Sequence, residues 1–182
     1  MTSFDLYTID SAPTRSQPIL RQLQESFGFI PNIAAKMAGS PVLISSFIGV
    51  FQQVHSGSFS EAQIQTLLLT NAVANRCSWA VAFHSFLALK EGLAPEDVQA
   101  IRAGHAPQDS KHAALSALAR TVIDKRGHVS EDDLEQFLHA GFDKEHVLQV
   151  IAAVAASTIT NYVGNVTNPP LEEAFQSYAW SA

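Results

Sequence analysis

Apolar positions recur along this chain at intervals of three and four, and no segment sustains the strict alternation of a half-buried strand. The pattern predicts an all-α chain of eight to ten helices. Polar and turn-forming residues between the apolar runs place the helix ends. Ser40 followed by Pro41 supplies an N-cap and a first-turn proline for PVLISSFIGVFQQVH. Ser60 and Gln63 have capping-box spacing at the head of EAQIQTLLLTNAVA. Gly92 can close the helix that contains His84, and Pro95, Glu96 and Asp97 open a short one that ends near Gly104. Further helices are expected before Gly127, behind a Ser130–Asp133 cap, and behind Asp143. Pro169 and Pro170 stop the last of these, and a short tail helix follows.

Two stretches, Ser60 to Leu89 and Ser130 to Val166, share a plan of polar cap, Ala/Val/Leu-rich run and Asn-containing second half. Two related helical units would give this likeness, and so would chance similarity between alanine-rich helices. The stretch from Val147 to Val166 is apolar on most of its circumference, which predicts a helix buried on all sides. It is either central to the fold or shared across a subunit contact, and a homo-oligomer is expected. Its Gln149, Ser157, Thr158, Thr160, Asn161 and Asn165 are too many polar groups for a membrane span of about 20 residues.

The 182 residues suit a single domain, 1–182, with its own core. Net charge is −6 and the basic residues are scattered, so no nucleic-acid partner is expected. The start, MTSFDLYTID, lacks the basic-then-apolar order of a signal peptide, and one cysteine cannot form an internal disulfide. Both point to a soluble, cytoplasmic protein with no membrane partner.

The candidate chemistry lies in NRCSWAVAFH, where Cys77 precedes His84 by seven residues. On one straight helix the two share a face but stand about 10 Å apart along the axis, too far for a direct hydrogen bond. The residue one turn before His84 is Ala80, where a cysteine would touch both.

FGFIPNIAAKMAGSP, FSEAQIQTLLLTNAVANRCSWAVAFH and AGFDKEHVLQVIAAVAASTITNYVGNV resemble the alkylhydroperoxidase D-like, or carboxymuconolactone decarboxylase-like, superfamily, in particular its peroxidase-related proteins. The likeness runs from about residue 6 to about residue 172. It implies an all-helical alkylhydroperoxidase D-like domain. Redox members carry a glutamate and, twelve residues on, Cys-x-x-Cys-x-x-x-His. By those spacings the glutamate position holds Gln65, the first cysteine is Cys77, the second is replaced by Ala80, and the histidine is His84. The resemblance thus implies a degenerate redox centre. A two-cysteine cycle cannot run within one chain, and Gln65 cannot exchange a proton.

Three readings follow. In the first, Cys77 is a one-cysteine hydroperoxide reductase, an antioxidant oxidoreductase served by an external thiol reductant. A helix break at Asn75 and the charge of Arg76 would favour the thiolate, with His84 acting through water. A buried, inert cysteine is the alternative. In the second, His84 is the base of a cofactor-free decarboxylase or isomerase acting on a small organic acid, with Glu61 supplying the carboxylate from one turn before Gln65. A core histidine is the alternative. In the third, the fold is a ligand- or partner-binding scaffold without catalysis. Glu135 and His139 lie on a solvated acidic face, and no histidine pair has the spacing of a zinc-binding helix, so neither metal nor cofactor is expected. Trp79 is expected to pack on a neighbouring helix, and Asn161, Tyr162 and Asn165 to pair with nearby loops.

Overall fold

In the computed structural model, which describes residues 3–181, every regular element is helical. The order is α1 (Gln17–Phe27), α2 (Asn32–Met37), α3 (Pro41–His55), α4 (Glu61–Ala74), α5 (Ser78–Lys90), α6 (Pro95–Arg102), α7 (Ser110–Asp124), α8 (Glu131–His139) and α9 (Lys144–Thr167). A 3-10 turn, Glu173–Tyr178, takes the place of the expected tail helix.

The caps act where the sequence puts them. Ser40 Oγ accepts from Leu43 N–H at 3.3 Å. Ser60 Oγ accepts from Gln63 N–H at 3.3 Å while Gln63 Oε1 accepts from Ser60 N–H at 3.0 Å, a closed capping box. Asp143 Oδ1 accepts from His146 N–H at 3.0 Å and so starts α9. Each cap satisfies backbone donors that the first helical turn leaves orphaned.

The central helix is α4, not the long C-terminal one. Residues 64–72 of α4 are buried without a break, and α3, α5, α6, α7 and α9 all pack on it. Ile64, Leu67 and Leu68 join one apolar cluster with α7 and α9, while Leu69 and Ala72 join another with α2 and α5. Helix α9 buries Val150, Ala153, Ala156, Ser157, Asn161 and Gly164, but leaves Leu148, Ile151, Tyr162 and Val166 exposed. By length and composition α9 could cross a membrane; in this fold its inner face carries core contacts to α3, α4 and α7. The two similar stretches fold differently. Helix α4 runs against α5, whereas the main partner of α8 is α7.

Between α4 and α5 the chain turns sharply. Asn75 closes α4, Arg76 takes a left-handed φ of 53°, and the Cys77 N–H returns to Ala72 O at 3.0 Å. A non-glycine residue in that region costs on the order of 1 kcal/mol. The turn makes Cys77 the N-cap of α5 rather than a mid-helix residue.

Candidate functional site

Gln65 on α4 and His84 on α5 meet inside the helix pair, and both are buried. His84 Nδ1 lies 3.0 Å from Gln65 Oε1. An amide oxygen only accepts, so Nδ1 carries the proton and Nε2 keeps its lone pair. The imidazole borders an apolar pocket of about 50 Å³ whose walls include Phe47, Phe51, Leu68, Trp79 and Phe83. The other polar side chains of that wall are committed. Trp79 donates Nε1–H to Glu172 Oε2 at 2.8 Å, and Thr160 donates its hydroxyl to carbonyls within α9. Burial, reinforced by the charge that nearby His55 can carry, pushes the His84 pKa down to about 3. His84 is therefore a neutral imidazole near pH 7, presenting a hydrogen-bond acceptor to an otherwise apolar space.

Cys77 stands apart from this arrangement. It is 1% exposed and its sulfur packs against the backbone of Gly164 on α9, where a Cβ would come within 2.5 Å of Sγ. Burial raises the thiol pKa, and the N–H groups of Ala80 and Trp79 at the start of α5 only partly oppose it. The cysteine borders its own cleft of about 330 Å³, together with Arg76, Asn165 and Asn168. Trp79 lines both cavities and stacks on Phe83 at 4.9 Å, so it stands as a partition between thiol and imidazole. Ala80, one turn before His84, is 1% exposed and its methyl group packs in the core.

Glu61 does not back His84. Its carboxylate is half-exposed and sits 3.0 Å from His55 Nδ1 through each oxygen. It is the first residue of α4 and meets the last residue of α3 across the connecting loop. His55 is the site residue that the sequence pattern does not single out. The six-residue step from His55 to Glu61 spans a loop, so no helical period links the two. Asn165 pairs with a loop as expected, donating Nδ2–H to Asn75 O at 2.8 Å. Tyr162 faces outward, and Asn161 is buried with its Nδ2 lacking a partner. Among the described residues no group of three His, Cys, Asp or Glu side chains could hold a metal ion.

No protein-family model matches the chain, and no curated protein matches it. Its backbone is nevertheless close to several solved structures. An uncharacterised peroxidase-related protein from Ralstonia eutropha, described as an alkylhydroperoxidase AhpD core, superposes with a TM-score of 0.84 at 18% identity, over 94% of this chain and 93% of that one. An uncharacterised peroxidase-related protein from Silicibacter sp. gives 0.80 at 18% identity, over 96% and 93%. A cysteine-to-alanine variant of the debrominase Bmp8, in complex with 2,3,4-tribromopyrrole, gives 0.79 at 16% identity, over 98% and 96%. Over nearly its whole length, this protein has the all-helical fold of the alkylhydroperoxidase D core.

Proposed function

We propose that the working centre is the His84 pocket, and that the protein is a cofactor-free acid–base enzyme acting on a small, mostly apolar organic acid or N–H/O–H acid. One observation carries this reading: His84 Nε2 is an uncommitted acceptor in an apolar wall, with its tautomer fixed by Gln65. A ligand suited to that wall is an apolar ring or chain with one acidic hydrogen aimed at Nε2. The debrominase with this fold binds 2,3,4-tribromopyrrole, an apolar ring with one N–H, and this supports the ligand class. An apolar cavity that accepts benzene measures about 150 Å³. A ring-sized ligand would therefore require the pocket walls to move apart.

The test is quenching of tryptophan fluorescence by 2,3,4-tribromopyrrole, since Trp79 lines the pocket. His84→Gln should weaken binding about tenfold, the cost of one lost hydrogen bond of about 1.4 kcal/mol. Cys77→Ser should leave it unchanged. Equal binding by wild type and His84→Gln would refute the reading.

A second reading keeps one-cysteine hydroperoxide reduction at Cys77, favoured by the two backbone N–H groups directed at its sulfur. An external thiol would then complete the cycle. One equivalent of peroxide should leave a trappable sulfenic acid; a rate no faster than that of free cysteine removes this reading.

Subunit contact belongs to the same proposal. Leu148, Ile151, Ala155, Thr158, Tyr162 and Val166 form one stripe down the outer face of α9, largely open to solvent. A second copy of the chain would cover it. A cytoplasmic setting fits the unpaired Cys77.

A further inference from the structure

Helix α3 carries Ile48, Phe51 and His55 on successive turns of one face, and α4 carries Glu61, Gln65 and Leu68 in the same way. Ile48, Phe51 and Leu68 line the His84 pocket. His55 and Glu61 form the next rung of this ladder. Glu61 lies four residues, about 6 Å of helix rise, before Gln65, which holds His84. The His55 ring packs on Phe51 at 4.4 Å. Its Nδ1–H points to the Glu61 carboxylate at 3.0 Å, and its Nε2 is buried with no partner. Two imidazoles thus occupy neighbouring rungs, each with Nδ1–H given to an α4 side chain and Nε2 uncommitted.

Their partners differ, and the difference has a consequence for proton traffic. A proton taken up by His84 at Nε2 creates a buried cation facing an amide. The same proton on His55 faces a carboxylate, in a side chain that is 24% exposed. The charged group bonded to His55 is Glu61; α9 meets the adjoining loop with the uncharged Gln149, bonded to Ser58 at 3.0 Å. We propose that His55, held by Glu61, is the proton outlet of the His84 pocket. The inference rests on His84 acting as a base.

Substrate X–H gives its proton to His84 Nε2 and keeps the bonding electron pair. The proton moves from His84 Nε2 through one water to His55 Nε2. His55 releases its Nδ1 proton to Glu61 and so to bulk water. For a substrate that takes its proton back, the path runs in reverse and restores the His55 tautomer. His55 acts through His84 and is a positioning residue.

The experiment is a ¹⁵N NMR titration of the histidine-labelled protein from about pH 5 to 8, the range in which histidines ordinarily change charge. The His84 Nε2 signal should move as His55 takes up its proton. His55→Asn should abolish that movement. If His55→Asn fails to fold, His55→Gln and the wild-type titration still decide the matter. A His84 signal that ignores the titration of His55 overturns the relay. That failure is distinct from failure of the base itself, which is read from tribromopyrrole binding by His84→Gln.

Discussion

At the residue scale, the protonation state of His84 turns on what faces it. An amide at Gln65 fixes the ring's tautomer without stabilising a cation, and burial does the rest. Gln65→Glu places a carboxylate at the same 3.0 Å contact and should raise the His84 pKa by about 1–3 pH units, read by NMR titration. The present neutrality of His84 also has a cost in acid. The unfolded ring takes a proton below its ordinary value of 6.5, whereas the folded ring resists until about 3. The unfolded state therefore binds more protons between those values, and stability falls as pH drops from 6.5 towards 3. Over that window His84 should remove up to about 5 kcal/mol. Urea melts of His84→Gln against wild type should show a shallower acid limb in the variant. Gln65, Cys77, Ala80 and His84 were singled out by the family resemblance and its motif. That Cys77 and His84 border separate cavities was not legible in the sequence, because the partition is Trp79, whose ring direction follows from its bond to Glu172, 93 residues away.

At the element scale, helix ends were legible because caps are local. Ser40, Ser60, Ser130 and Asp143 bond to backbone within three residues of themselves. Contacts between helices were less so. The seat of the cysteine depends on Gly164, one turn from the end of α9, which leaves room for Sγ. Gly164→Ala should destabilise the protein by about 1–2 kcal/mol, since the clash with sulfur outweighs the gain in helix propensity. Truncating the sulfur with Cys77→Ala should restore most of the loss, as thermal or urea melts of the four proteins of the cycle would show. Independent, additive effects would mean that the sulfur–glycine contact does not set the α5–α9 approach. Glu61 shows the same limit from the other side. One helical period correctly places it on the Gln65 face, but its partner comes from α3 across a loop, so the expected pairing with His84 gives way to His55.

At the scale of the whole molecule, the placement of α4 and α9 decides what is left for partners. An apolar helix can be buried by its own chain or by another, and composition does not distinguish the two. Here α4 takes the centre and α9 lies across it, so one apolar stripe of α9 is turned outward. Ile151→Glu and Val166→Glu together should shift the protein from oligomer to monomer in light scattering, with tribromopyrrole binding retained because neither residue lines the pocket. A wild-type monomer would refute a subunit role for the stripe.

By itself the sequence determined the helical class, the helix ends and the presence of a single cysteine, all of which follow from periodicity, capping and residue identity within short stretches. The tertiary structure alone decided that His84 faces an apolar pocket while Cys77 is sealed against Gly164, that Glu61 holds His55, and that α9 keeps an open face. These depend on which helices meet and at what rotation. Those meetings are set by packing between residues tens of positions apart, which no local period encodes.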